Sequence, residues 1–214
     1  RPNVTYKVAL IQNGWRLENK DSLPEPDLKK NYRTDRFFAF GDASSKILAQ
    51  RIDGELVTSG SLKANTVRRE KSSNKSPSVA FISTFRVAKY KNYIEGSEFF
   101  ETFGKLCKKL GMPLVIAGCE RSVSGHQIEK DFYANHLTNF DWQIFQRVND
   151  LSSYDVITSA SCVIVESSSL GYESLSMGLR VGFVAIRVRN RVTDRFGLPL
   201  EFGEKGPFWT NDPS

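Results

Sequence analysis

Val163-Ile164-Val165-Glu166-Ser167-Ser168-Ser169-Leu170-Gly171-Tyr172-Glu173-Ser174-Leu175-Ser176-Met177-Gly178-Leu179-Arg180-Val181-Gly182-Phe183-Val184 reads as a buried strand, a hydroxyl-rich turn, a short helix, a glycine stop and a second strand. A strand that runs into a helix through such a turn aims the unbonded N–H groups of the helix start outward, where they can hold phosphate. Glu173 lies about one helical turn further on, where a carboxylate can accept hydrogen bonds from sugar hydroxyls. Phosphate and sugar together suggest a nucleotide-sugar site. Serine is also a favoured helix cap, but one cap accounts for one serine, not for three beside Gly171.

The same alternation extends outward along the chain and implies α/β layering. Strands are expected at Tyr6–Gln12, Phe37–Phe40, Glu55–Thr58, Val79–Thr84, Leu114–Ala117, Trp142–Phe145, Val163–Val165 and Val181–Ile186. Helices are expected at Asp42–Arg51, with Asp42 as N-cap, and at Gln127–Leu137, Ser153–Ser159 and Leu170–Leu179. The clearest helix is Ser97–Leu110. Phe99, Phe100, Phe103, Leu106, Cys107 and Leu110 recur at helical spacing, acids lie near its start and lysines near its end, and Gly111 and Pro113 stop it.

Arg68 to Pro77 is charged, serine-rich and ends in proline, the composition of a linker. The expected organisation is therefore two Rossmann-like units with parallel sheets. A partial unit over residues 1–72 looks like the later part of a larger domain, and a second unit spans residues 73–214 with a C-terminal tail. A cleft between two such units is a common ligand site.

Composition bounds the partners. The 214 residues, 40% hydrophobic and 25% charged, are ordinary for a globular chain, and no apolar run approaches the roughly 20 residues needed to span a bilayer. The chain begins at Arg1 rather than Met, which leaves open an upstream segment or a removed signal. A net charge of +6 suits anionic ligands or anionic lipid headgroups. Neither a glycine-aromatic RNA signature nor a basic helix with heptads is present, so nucleic acid is not an expected partner. Cys107, Cys119 and Cys162 are too few and too scattered for a disulfide framework or a zinc site, and suit a reduced, cytoplasmic protein. His126 and His136 are expected on an exposed helix face.

In a parallel sheet, ligands bind where strands end and helices begin. Three turns meet that rule: Gln12-Asn13-Gly14-Trp15-Arg16, Thr84-Phe85-Arg86 and Glu166 to Gly171. Arg16 and Arg86 can each offer a bidentate fork to phosphate or carboxylate.

The segment from Ser152 to Arg187 resembles the donor-side half of GT-B glycosyltransferases. More narrowly, the chain is similar to bacterial surface-carbohydrate biosynthesis proteins of the glycosyltransferase type. The matching residues run in order along nearly the whole chain: Gln12 to Arg16, Phe40-Gly41-Asp42, Ser59-Gly60-Ser61, Ser153-Tyr154-Asp155, Ser168 to Glu173 and Lys205 to Asn211. The resemblance implies a nucleotide-sugar donor bound by the second unit and a glycan or lipid-linked acceptor bound by the first.

Carried over by residue, Ser168, Ser169 and Gly171 would face the donor phosphate and Glu173 its ribose or sugar, with Thr84, Arg86 and Arg121 beside them. Replacing Glu173 by glutamine is then expected to weaken donor binding with little loss of stability. Asn13, Gly14, Arg16, Gly60 and Ser61 would line the acceptor side. The resemblance implies no metal and no cofactor, since helix N-termini and basic side chains stabilise a leaving phosphate. It also implies a cytoplasmic location with peripheral association at the inner face of the membrane.

Relatives with sialic-acid-type donors often show a His-Pro pair where this chain reads Ala117-Gly118-Cys119-Glu120-Arg121, a departure from that branch. No catalytic base is identified; Asp42 reads as a capping residue first. A nucleotide-sugar epimerase of the same fold and a non-catalytic nucleotide-sugar-binding or assembly protein are the alternative readings.

Overall fold

The computed structural model describes residues 7–12, 31–67, 77–87, 97–184, 186, 205–206 and 209–210. The chain parts into two compact units, Arg1–Thr66 and Val67–Ser214. The expected boundary at residues 72/73 lies outside the described residues.

In the first unit, β1 (Ala9–Ile11), β2 (Arg33–Ala39) and β3 (Asp53–Thr58) form a parallel sheet in the order β1-β2-β3. The helix α1 (Asp42–Ala49) connects β2 to β3, and its Leu48 packs with Ala39 and Ile52 against Phe37 and Leu56. Gly41, not Asp42, is the N-cap: its backbone is extended, and the Asp42 carboxylate instead accepts the Thr58 hydroxyl from β3 at 2.9 Å. A second, five-residue helix, α2 (Leu62–Thr66), was not expected from the sequence, because only Ala64 of its residues is buried and no apolar periodicity announces it.

The second unit holds β4 (Val79–Ile82), α3 (Ser97–Lys109), β5 (Leu114–Ala117), α4 (Val123–His136), β6 (Trp142–Phe145), α5 (Ser152–Ser159), β7 (Cys162–Val165), α6 (Ser169–Ser176) and β8 (Val181–Val184). Two short strands, β9 (Lys205–Gly206) and β10 (Trp209–Thr210), extend the sheet beyond β8. The strand order is β6-β5-β4-β7-β8-β10-β9, parallel throughout except for β9. This arrangement reverses direction between β4 and β7, the defining feature of a doubly wound Rossmann-like sheet. Trp209, in the expected C-terminal tail, belongs to β10 beside β8.

Burial on both faces explains why β4 (Val-Ala-Phe-Ile) and β5 (Leu-Val-Ile-Ala) are unbroken apolar runs rather than alternating ones. On one face Val79, Phe81, Leu114 and Ile116 meet Phe99, Phe100, Phe103 and Cys107 of α3 and Phe132 and Tyr133 of α4. Phe81 is ringed edge-on by Phe100, Phe103 and Tyr133, with centroids 5.4–6.3 Å away. On the other face α5 packs over β4 and β5, and α6 over β7 and β8.

α4 starts at Val123, one turn before the expected Gln127. Ser122 caps it by accepting the Gly125 N–H at 3.0 Å, and the first turn carries no apolar signal because Val123 lies in solvent. Its histidines are half-buried rather than exposed; the His136 ring lies tilted against that of Phe132, centroids 4.8 Å apart.

Candidate functional site

The reversal of strand order places two turns side by side at the carboxyl ends of β4 and β7. Register pairs Ile82 with Val165, so Ser83 and Thr84 run out next to Glu166 and Ser167. The turn after β5 lies on the other side, since Ile82 also pairs with Ala117. Ligands in open α/β sheets bind in this crevice.

The turn after β4 is rigidly seated. Phe85 is fully buried, its ring 5.3 Å from that of Phe132, and its N–H is accepted by the Ser83 hydroxyl at 3.1 Å. Anchoring Phe85 leaves the next residue, Arg86, exposed. Its Nη1 donates to the Phe85 carbonyl at 3.2 Å, to the Cys119 carbonyl at 3.4 Å and to the Cys119 thiol. Burial pushes the Cys119 thiol up in pKa, and the Arg86 charge opposes that. Cys119 is therefore a neutral neighbour rather than a thiolate at neutral pH. The Val87 N–H is accepted by Glu120 at 3.0 Å, which ties this turn to the one after β5.

In the turn after β7, Glu166 is buried and Ser167, Ser168 and Ser169 are half-buried. Ser168 is the N-cap of α6, accepting the Leu170 N–H at 3.3 Å. The first turn of α6 holds no acidic side chain, so the positive end of its dipole stands unopposed from within the helix. Such a helix start is suited to an anion, while Arg86, on the neighbouring strand end, is turned toward Cys119 in the turn after β5.

Two expected donor contacts are placed differently. A Cβ on Gly171 would sit 2.6 Å from Val165 Cγ1 and 2.8 Å from Phe183 Cε1, so this glycine lets α6 approach the sheet. Glu173 is 8% exposed and accepts the buried Tyr154 hydroxyl, which couples α6 to α5. Arg121 extends from the turn after β5 but is engaged by Asp150, which Arg147 also reaches at 3.4 Å. Thus the strand ends bring Ser83 and Thr84 beside Glu166 and Ser167 ahead of the α6 start, Arg86 is held at the turn after β5, and Gly171 and Glu173 sit inward.

On the first unit, Gly60 takes the left-handed conformation, φ +73°, at the end of β3, and Ser61 accepts the Ala64 N–H at 3.2 Å as the start of α2. Asn13, Gly14 and Arg16 lie outside the described residues. A groove of about 460 Å³ lies between α3 and α4, lined by Glu98, Lys105, His136 and Phe140 among others, and shares no residue with the β4 and β7 turns. Among the described residues, no three His, Cys, Asp or Glu side chains converge as a metal site, and no helix is long and apolar enough to cross a membrane.

Sequence reasoning missed Glu129. It is fully buried on α4, and its carboxylate joins the turns after β4 and β5. The signal was present in the spacing: Gly125, Glu129, Phe132 and Tyr133 share one helix face, and the other three are the face that packs inward.

The fold is thus that of an α/β protein with Rossmann-like parallel sheets, the second with its switch point between β4 and β7. The chain belongs to the family described as "putative O-antigen biosynthesis protein", whose model matches residues 9–214. No curated protein is significantly similar in sequence.

Among solved structures, the wall teichoic acid polymerase TagF superposes over 94% of this chain and 55% of its own, with a TM-score of 0.50 and 14% identity. A "putative UDP-N-acetylglucosamine 2-epimerase" from Listeria monocytogenes matches over 71% of this chain and 42% of its own, with a TM-score of 0.49 and 13% identity. The glycosylation associate protein complex from Streptococcus agalactiae matches over 71% and 32%, with a TM-score of 0.46 and 11% identity. The chain therefore spans about half or less of these proteins' lengths. The likeness to TagF is one of fold.

Proposed function

We propose that this chain carries the donor-binding part of a GT-B-type glycosyltransferase that moves a sugar from a nucleotide donor to a surface-polysaccharide or lipid-linked acceptor. The observation that carries the reading is the switch point itself: Ser83 and Thr84, just ahead of the exposed Arg86, run out beside the turn that leads into the Ser168-capped start of α6. Membership in the O-antigen biosynthesis family supports a glycan product, and a polymerase of wall teichoic acid has the same fold.

In this reading Arg86 and the α6 start hold the donor's phosphates, and Ser167 to Ser169 supply hydroxyls to them. During transfer the acceptor hydroxyl oxygen bonds to the anomeric carbon as the bond from that carbon to the phosphate oxygen breaks, and the hydroxyl proton is released to solvent. Negative charge gathers on the departing phosphate, where a guanidinium and a helix dipole stabilise it without a metal. Thr84 and Arg121 border the same crevice, and Glu173 acts through the packing of α6 rather than by touching sugar. The acceptor side falls to the first unit, with Gly60 and Ser61 at the end of β3. A location at the inner face of the cytoplasmic membrane suits a lipid-linked acceptor.

A thermal-shift screen against nucleoside mono- and diphosphates and nucleotide sugars tests the proposal. A selective ligand raises the melting temperature by mass action. If every nucleotide in the panel leaves it unchanged at millimolar concentration, the donor-binding reading fails.

A further inference from the structure

Glu129 is a fully buried carboxylate, and its contacts are concentrated at two ligand-side turns. Its Oε1 accepts the Ser83 hydroxyl at 2.5 Å and the Cys119 N–H at 3.0 Å; its Oε2 lies 3.1 Å from the N–H groups of both Cys119 and Glu120. Tyr133, also fully buried, donates its hydroxyl to Ser83 Oγ at 2.9 Å. The backbone makes room for this approach: a Cβ on Gly118 would stand 3.3 Å from Glu129 Oε2 and 2.7 Å from the Phe145 carbonyl. His126 of the same helix faces the carboxylate with Nδ1 3.9 Å from Oε2.

Burying a carboxylate is unfavourable unless its lone pairs are used, and the surrounding core would be closed as well by an apolar residue. What an apolar residue could not do is bind Ser83, Cys119 and Glu120 at once. Those three residues set where Arg86 stands. Ser83 holds the Phe85 N–H, Phe85 is the buried residue before Arg86, and the Cys119 carbonyl and thiol receive Arg86 Nη1. Two routes thus run from one carboxylate to one guanidinium, through the turn after β4 and through the turn after β5.

We propose that Glu129 is a positioning residue that, by clamping the turns after β4 and β5, orients Arg86 toward an anionic ligand in the switch-point crevice. This inference rests on the donor-binding reading above. Its chemistry requires only a phosphate-bearing ligand, so inorganic pyrophosphate serves as the probe.

Glu129→Gln keeps the shape but turns an amide N–H₂ toward donor groups, and Ser83→Ala breaks the route through β4 alone. Each is compared with wild type by melting, by amide hydrogen exchange at Cys119 and Glu120, and by pyrophosphate titration. The expected result is faster exchange at both amides in Glu129→Gln. Pyrophosphate affinity should fall roughly tenfold in both variants, the worth of about one charge-assisted hydrogen bond, with binding at low salt lost in Arg86→Ala. Glu129→Asp, which withdraws the carboxylate by one methylene, should fall between wild type and Gln.

Unchanged exchange at Cys119 and Glu120 overturns the clamp without reference to any ligand. Pyrophosphate binding that needs Arg86 yet survives both Glu129→Gln and Ser83→Ala overturns the positioning role and leaves the donor site standing. If wild type itself binds no pyrophosphate, the anion site fails, and any faster exchange then marks Glu129 as a structural strut only. Should Glu129→Gln fail to fold, Ser83→Ala decides by the same affinity criterion.

Discussion

Gly171→Ala separates two explanations for the glycine in the serine-rich turn. If a phosphate must approach the backbone there, a methyl group should impair binding while the fold gains the helix propensity of alanine, about 1 kcal/mol over glycine. The packing argues otherwise. The new Cβ would stand 2.6 Å from Val165 Cγ1 and 2.8–2.9 Å from the Phe183 ring, well inside ordinary carbon–carbon contact. Both neighbours are fully buried on β7 and β8, so neither can swing away.

Overpacking of a tight core costs about 1–3 kcal/mol, and contacts with two strands at once belong to the upper half of that range. Subtracting the propensity gain leaves a net loss of about 1–2 kcal/mol. For a chain of this length that is a fall in Tm of about 2–8 °C. Urea unfolding and calorimetry measure it directly. Adding Val165→Ala makes room for the methyl, so the double variant should be more stable than the sum of the singles by at least about 0.5 kcal/mol. A Gly171→Ala protein as stable as wild type, or more so, refutes the packing account.

Three further outcomes follow from the geometry. Tyr154→Phe and Glu173→Gln should each destabilise by about 1–3 kcal/mol, because each disturbs a buried hydrogen bond, and a double-mutant cycle should find them strongly coupled; additive effects would dissociate the pair. This replaces the sequence-based expectation that Glu173→Gln spares stability.

Burial pushes the Glu129 carboxyl above the usual range, while the Ser83 hydroxyl and the amides of Cys119 and Glu120 pull it down. With the folded value raised, the folded state binds the proton more tightly than the unfolded chain. The contribution of Glu129 is therefore fullest below the ordinary glutamate value of about 4.3 and is lost as pH rises through its folded value. Relative to Glu129→Gln, wild type should gain stability in urea unfolding as pH is lowered through the folded Glu129 value toward the ordinary glutamate value, and a flat difference would contradict this. Arg86→Ala should weaken nucleoside diphosphate binding most at low ionic strength, and a salt-independent loss would point to packing instead.

Much of the second unit was legible because its signals are strong and local. The four-residue apolar runs of β4 and β5 and the phenylalanine stripe of α3 can satisfy their burial in only one way. The strand order was not legible, since it depends on which edge each crossover chooses. Within the site, the Ser168 cap and the exposure of Arg86 could be read from the turn chemistry. Gly171 and Glu173 could not, because a glycine that admits a ligand and one that admits a neighbouring strand look alike in sequence. A carboxylate that faces sugar and one that faces a buried tyrosine are equally indistinguishable. Glu129 sits amid Gln127, Lys130 and Asp131, and its burial shows only through its register with Gly125, Phe132 and Tyr133.

In the proposed function an anionic donor sits between the strand ends of β4 and β7. Backbone amide shifts of isotope-labelled protein, recorded with a saturating nucleoside diphosphate from the thermal-shift screen, test it most directly. The largest changes are expected at Phe85 to Val87 and at Ser167 to Leu170, with little at the α3–α4 groove around Lys105 and Phe140. Changes centred on that groove, with the two turns undisturbed, would contradict it.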